Sequence, residues 1–142
     1  HHDFQYEVNG VVSRLSVGLK KQFAKWIRQL EIPPRAAVKN RLRSLDAAGV
    51  FLNFNYTPTL SEIYSVPDAN VLHIHGRATM KDEDIVLGHS WSPMTRRSLN
   101  DRPDIEDLDT RMIAAYDILD KYFSDTFKPS DKLIQNNQPF FD

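Results

Sequence analysis

The sequence predicts an α/β fold, in which a partial parallel sheet of about three strands is flanked by helices. Three observations predict it: short apolar runs end in polar residues, a helical segment lies between the first two runs, and longer amphipathic segments lie on either side. With 142 residues, 41% hydrophobic and 11% aromatic, the chain can bury one core. We expect a single domain over residues 3–142, with His1 and His2 the remnant of a purification tag.

Two helices are predicted before the first strand. Apolar residues recur every three or four positions from Val11 to Leu30, as on one face of an amphipathic helix, and Pro33 begins a proline pair that ends it. The second helix is predicted from Ala36 to Ala47 or Ala48, with Gly49 as its stop.

Three strands are predicted in the middle of the chain, at Val50 to Phe54, Val71 to His75 and Asp84 to Gly88. The helix between the first two is predicted to be capped by Thr57 or by Thr59. If these strands lie parallel, their carboxyl ends face one crevice, which is where open α/β sheets bind ligands.

The last third of the chain is predicted to be irregular and then helical. Pro93 to Pro103 is irregular, a long helix runs from Ile105 to Phe127, and a short helix spans Asp131 to Asn137. The chain stops soon after Phe140 and Phe141, two large apolar residues that a complete domain would usually cover. We therefore expect a fragment of a longer protein.

Side chains suited to proton transfer follow the first two predicted strands. Asn55 follows the first, His75 ends the second, and every histidine outside the suspected tag lies between His73 and His89. One hypothesis is that Asn55 holds a water or hydroxyl group while His75 removes a proton. The alternative is that Asn55 bridges the turn and His75 is a hydrogen-bonded core histidine.

Other chemistries have less support. His73, His75 and His89 could offer imidazoles to zinc or iron, but their spacing is not diagnostic and we predict no metal. The five glycines are dispersed, so the chain has neither a Walker loop nor a dinucleotide glycine cluster. It has no cysteine nucleophile, and no serine lies in a nucleophile elbow.

Charge and composition indicate possible partners and compartment. From Arg14 to Arg43 the chain has nine Lys or Arg residues and only Glu31 as an acid, a local balance of +8. This basic segment could bind phosphate or nucleic acid, or it could be a solvated face. The absence of cysteine, of a signal-like start and of an apolar run near about eighteen residues predicts a cytoplasmic protein without a membrane contact.

The central sequence FLNFNYTPTLSEIYSVPDANVLHIHG, followed by DIVLGHS, closely resembles the AbiH family, whose members protect bacteria against phage by abortive infection. The tail KYFSDTFKPSDKLIQNNQPFF is similar to the same family. AbiH proteins begin with a Gly-Asn-Gly-Phe-Asp-like segment that would supply a nucleotide-binding turn. This sequence lacks it, as a truncated chain would.

AbiH proteins in turn resemble sirtuin-like, Rossmann-like domains that act on NAD. The resemblance implies catalytic roles for Asn55 and His75 and hydrolysis of NAD by the full-length protein. It implies that the nucleotide contacts Tyr56, Thr57, His73, Gly76 and His89. Thr57 departs from the aspartate that sirtuin-like relatives often carry there. The rival expectation is a non-catalytic module that senses phage or binds nucleic acid or protein through the basic segment.

Overall fold

The computed structural model describes residues 4–101 and 109–142. Within these ranges the chain forms two compact units. The first contains residues 4–22, 87–101 and 109–130, and the second contains residues 23–86 and 131–142. Helical segments make up about half of the described residues. None of the helices described has both the length and the apolar character needed to cross a membrane.

A helical segment runs from Phe4 to Arg28 and confirms the predicted amphipathic helix, although it begins earlier. It consists of α1 (Phe4–Ser13), a π-helical stretch (Arg14–Gly18) and α2 (Leu19–Arg28). The backbone of Ser13 is helical, with φ −61° and ψ −37°, so the chain passes into the wider turn without a break. The apolar face of this segment buries Val12, Ala24 and Ile27.

In the first unit, α1 packs against α4 (Thr110–Asp125). The Asp109 side chain caps α4 by accepting a hydrogen bond from the Arg111 amide at 2.9 Å. This confirms the long predicted helix but not its bounds: the helix begins at Thr110, after the non-helical Asp109, and ends at Asp125, two residues before the predicted end. Residues 105–108 of the prediction lie outside the described residues. The segment at residues 93–101 is irregular, as predicted.

The second unit contains a parallel pair of short strands, β1 (Phe51–Asn53) and β2 (Val71–His73). Phe51 pairs with Val71 and Asn53 with His73, so the first two predicted strands exist and are shorter than predicted. Hydrophobic residues on and around the strands form the core of this unit. They are Ile63, Val66, Val71, Ile74, Ala78 and Ile85, and Ile85 is fully buried.

Helix α3 (Thr59–Tyr64) connects the two strands, but the predicted cap is wrong. Pro58 is the N-cap residue and makes no side-chain cap, while the hydroxyls of Thr57 and Thr59 are hydrogen bonded to each other at 2.9 Å. The helix ends at Tyr64, and Ser65 caps it with a left-handed backbone, φ +60°.

The predicted second helix is also wrong. Only Arg35–Ala37 forms a helical turn, and residues 38–50 are turns and irregular backbone. Leu42, which was expected on the buried face, is 66% exposed, so a helix here would have no core to pack against. Asp46 instead accepts hydrogen bonds from the amides of Ala48 and Gly49, and such local turns compete with helix formation.

The predicted third strand does not form, and the sheet in the described residues has two strands. Asp82–Asp84 is a short 3₁₀ turn, and Ile85 supplies buried apolar surface without pairing in the sheet. Gly88 then closely approaches another backbone segment, because a Cβ atom there would lie 1.8 Å from the Thr126 oxygen. His89 follows in an isolated parallel bridge to Phe127.

The carboxyl-terminal residues form α5 (Ser130–Asn136) and α6 (Gln138–Phe141). Helix α5 confirms the predicted short helix, and α6 was not predicted. The fold is thus mixed helix and sheet with a parallel pair, and nothing in it confirms the sirtuin-like or Rossmann-like expectation.

Candidate functional site

The carboxyl ends of β1 and β2 lie side by side because Asn53 is the register partner of His73. The Ile74 amide extends the pairing by donating to the Asn53 main-chain oxygen at 3.2 Å. Asn55 and His75 therefore each follow a paired position at the same edge of the sheet, where ligands bind in parallel arrangements.

Hydrogen bonds from both strands hold the main chain of Asn55. Its amide donates to the Oδ1 atom of Asn53 at 2.9 Å, and its carbonyl oxygen lies 2.9 Å from Nδ1 of His73. Asn53 is 8% exposed, whereas the Asn55 side chain is exposed. Asn53 was not among the predicted site residues, although an asparagine at a strand end before a polar turn is a recognisable signal for an Asx turn.

His73 lies between charges of opposite sign. Burial lowers the pKa of its imidazole, the Asn55 carbonyl raises it, Arg77 lowers it and Asp68 raises it, with a net lowering. Arg77 forms an ion pair with Asp68 at 2.9 Å. A hydrogen bond from Ser61 and another from Arg77 lower the pKa of Asp68.

The His75 ring packs against the residues on either side of Asn55. Its centroid lies 5.6 Å from the Phe54 ring and 6.3 Å from the Tyr56 ring. Gly76 follows with φ +89°, and a Cβ atom there would lie 3.0 Å from the Asp84 oxygen. The turn after His75 therefore requires glycine.

The side-chain hydroxyl of Tyr56 forms a hydrogen bond within the protein. The hydroxyl donates to the Val86 carbonyl at 2.8 Å, and burial raises the pKa of the phenol. The Val86 amide donates to the His75 carbonyl at 2.9 Å. Val86 therefore links the Tyr56 side chain to the main chain of His75. The Phe23 ring lies edge-on to the Tyr56 ring at 5.0 Å.

Thr57 lines an open groove of about 570 Å³ in the second unit. Arg28 lines this groove, and its guanidinium group donates hydrogen bonds at 2.6 Å to the carbonyl oxygens of Ala78 and Met80 and to the carboxylate of Asp82. This role of Arg28 could not be predicted from the sequence, because these partners lie about fifty residues away along the chain. The groove is lined by Ile27, Arg28, Leu30, Ile32, Thr57, Pro58, Glu62, Ala78 and Thr79.

His89 belongs to the first unit, whereas Asn55 and His75 belong to the second, so its predicted place beside them stays a prediction. The Trp91 amide donates to Nδ1 of His89 at 3.2 Å. The ring also packs against Phe123 at 5.8 Å. In the described ranges, no three His, Asp or Glu residues are grouped so that they could hold a metal ion.

Comparison of the sequence with known protein families identifies the family to which the chain belongs. A family model described as Bacteriophage abortive infection AbiH matches residues 1–142, the whole chain. The chain belongs to the AbiH family. Membership confirms the resemblance drawn from the central motif and connects this AbiH chain with abortive infection by bacteriophage. A search of curated proteins and a search of solved structures each give no match, and the likeness to sirtuin-like domains is not confirmed.

Proposed function

We propose that this AbiH-family protein acts on a nucleotide during phage defence, and that its reaction is hydrolysis of the nicotinamide glycosidic bond of NAD. The observation that supports the proposal most strongly is the pairing of Asn53 with His73. Because of this register, Asn55 and His75 both follow the strands at the same edge of the sheet. The carboxyl edge of parallel strands is where α/β proteins commonly bind nucleotides.

In the proposed reaction, Asn55 accepts a hydrogen bond from the attacking water and His75 takes the proton that the water loses. The water oxygen forms a bond to the anomeric carbon of the nicotinamide ribose. The bond from that carbon to the nicotinamide nitrogen breaks, and nicotinamide leaves with the electron pair. The products are ADP-ribose, nicotinamide and a proton, and the base contributes about 10²- to 10⁴-fold in rate.

The surroundings of His75 suit this role. The rings of Phe54 and Tyr56 restrict the imidazole, and both residues are sequence neighbours of Asn55. The groove lined by Thr57 and Ala78 begins shortly after Asn55 and His75 along the chain. Its volume of about 570 Å³ is within the range of roughly 300–1,000 Å³ for ligand pockets.

The test uses bacteria that carry the full-length native protein. After phage infection we expect the cellular NAD concentration to fall and nicotinamide and ADP-ribose to rise in the wild type. Asn55→Ala and His75→Ala should each lower the rate of these changes at least about 100-fold, and Asn40→Ala, at an exposed asparagine in a turn, should not. An unchanged NAD concentration in infected wild-type cells that still resist phage would refute the proposal.

A second candidate function is nucleic-acid binding by the basic residues of the first half of the chain. The Arg14 to Arg43 segment is not one helix, since α2 ends at Arg28. Lys21 and Lys25 are exposed on α2, and neither forms an ion pair with any residue in the described part of the chain. Two free ammonium groups one helical turn apart could contact neighbouring phosphates.

This candidate predicts binding to DNA or RNA that weakens steeply as salt rises, because neutralised phosphates release counterions. Charge reversal at Lys20, Lys21 and Lys25 should then abolish phage protection while His75→Ala spares it. The opposite pattern, with protection lost only in His75→Ala, would exclude nucleic-acid binding as the protective activity and favour the enzyme.

A further inference from the structure

We propose that His73 is a positioning residue for Asn55, fixing the asparagine by a hydrogen bond to its main-chain carbonyl. The inference rests on the proposed function, since it concerns the group that would hold the attacking water. The distance from Nδ1 of His73 to the Asn55 oxygen is 2.9 Å, and the two residues lie on different strand ends.

The partner determines the tautomer of His73. A carbonyl oxygen only accepts hydrogen bonds, so the imidazole must carry its proton on Nδ1. Burial also lowers the pKa of the ring, which favours the neutral form near pH 7, and the charges that face it are Arg77 and Asp68. Neutral His73 is therefore the Nδ1–H tautomer, with a lone pair on Nε2.

The hydrogen bond matters because the Asn55 side chain is exposed and its placement depends on its main chain. Asn53 holds the amide side of that residue and His73 holds the carbonyl side. Since Asn53 and His73 are register partners, the strand pairing itself sets the position of the catalytic amide. Loss of either hydrogen bond leaves Asn55 anchored on one side only.

The tautomer is tested directly by ¹⁵N NMR of the imidazole nitrogens in the full-length wild-type protein. We expect a protonated Nδ1, an unprotonated Nε2 and a titration midpoint below about 6.5. The His73 signals are assigned by their absence in His73→Asn. A predominant Nε2–H tautomer of the neutral ring would overturn the inference.

Variants test the role in catalysis. His73→Asn retains an amide N–H near the position of Nδ1, so NAD hydrolysis should stay within about threefold of wild type. His73→Leu loses the donor and should lower kcat about 10- to 100-fold with little change in KM, as small misplacements of a catalytic group do. In an Asn55→Ala background, His73→Leu should cause no further loss, because both changes disable the same group.

Two results would contradict the positioning role. Equal inactivity of His73→Asn and His73→Leu, with both variants folded by thermal unfolding, would indicate that the ring acts chemically or only structurally. Additive losses in the double variant would show that His73 does not act through Asn55. If the wild type hydrolyses no NAD, the proposed function fails, and the same variants assayed by phage protection, together with the NMR result, decide the positioning role.

Discussion

The Nε atom of Arg28 donates to the main-chain oxygen of Ala78 at 2.6 Å. This contact joins the end of α2 to the turn that follows β2 and Gly76. The same guanidinium reaches Met80 and Asp82 at 2.6 Å, so one side chain holds three points of the turn. Only a planar fork of donors can do this, and a lysine cannot replace it.

Arg28→Met should destabilise the second unit by about 1 to 2 kcal/mol, since two carbonyls and a carboxylate lose a charged donor in a partly exposed setting. Lys25→Met, an exposed position on the same helix without an ion pair in the described residues, should stay within about 0.5 kcal/mol. Urea unfolding of both variants measures the difference. Equal midpoints would show that Arg28 contributes nothing to the turn.

Gly88→Ala should be severely destabilising. The added Cβ atom would lie 1.8 Å from the Thr126 oxygen, and the neighbouring His89 amide donates to that same oxygen at 3.0 Å. Relief requires separation of two backbone segments, so we expect a loss of at least about 3 kcal/mol.

Gly10→Ala provides the matched control for this substitution. Gly10 lies inside α1, and a Cβ atom there meets nothing within 4 Å. Alanine should stabilise the helix by about 0.5 to 1 kcal/mol. Thermal unfolding should therefore shift in opposite directions for the two glycines, and a shift in the same direction would contradict the packing at Gly88.

Asp120 should make the first unit sensitive to acid. Burial raises the pKa of its carboxyl, but hydrogen bonds from Ser98, Arg96 and the Leu99 amide outweigh burial and lower it overall. A lowered folded pKa means stability that is present above the unfolded value of about 4 and is lost as the pH falls through the folded value. Arg96 is also positioned over the Phe123 ring, 3.9 Å from its centroid.

Asp120→Asn should cost about 2 kcal/mol at pH 7, because the Arg96 side chain, which is only 10% exposed, loses its counter-charge. The same variant should lose less stability than wild type as the pH falls below about 4, where the aspartate becomes protonated. Asp131→Asn, at an exposed carboxylate, is the control and should change the free energy of unfolding at pH 7 by less than about 0.5 kcal/mol. Parallel pH curves for wild type and Asp120→Asn would rule out this linkage.

The sequence predicted the parts of the fold that follow from local pattern. Two apolar runs predicted the strands β1 and β2. Apolar residues at helical spacing predicted the helical segment from Phe4 to Arg28 and helix α4. The third strand failed because an apolar run shows that a segment is buried but not that it pairs. Ile85 is fully buried, yet its neighbours form one main-chain bond to His75 and none of the sheet ladder.

The sequence predicted the two strand ends that Asn55 and His75 follow, and the roles of these two residues stay predictions. The ends of the apolar runs located Asn55 and His75. The Asn53 turn spans only two residues and was recognisable from the sequence, whereas Arg28 bonds to a residue 50 positions away, so its role could not be found from spacing. The first strand also ended early, because the Asn53 side chain takes the amide of Asn55 into a turn.

Two substitutions of Tyr56 distinguish the role of its ring from the role of its hydroxyl group. The hydroxyl is used by the Val86 carbonyl, so it is not available to a nucleotide, whereas the ring lies 6.3 Å from the His75 ring. Tyr56→Phe should lower stability by about 1 kcal/mol, the usual net value of a lost hydrogen bond, and leave KM for NAD within about twofold.

Tyr56→Leu removes the aromatic wall beside the imidazole and should in addition lower kcat, because His75 gains freedom to turn away from the water. Both variants are compared by urea unfolding and by steady-state hydrolysis of NAD in the full-length protein. A large rise in KM for Tyr56→Phe would show that the hydroxyl contacts the nucleotide after all. Equal kcat values for the phenylalanine and leucine variants would show that the ring does not orient His75.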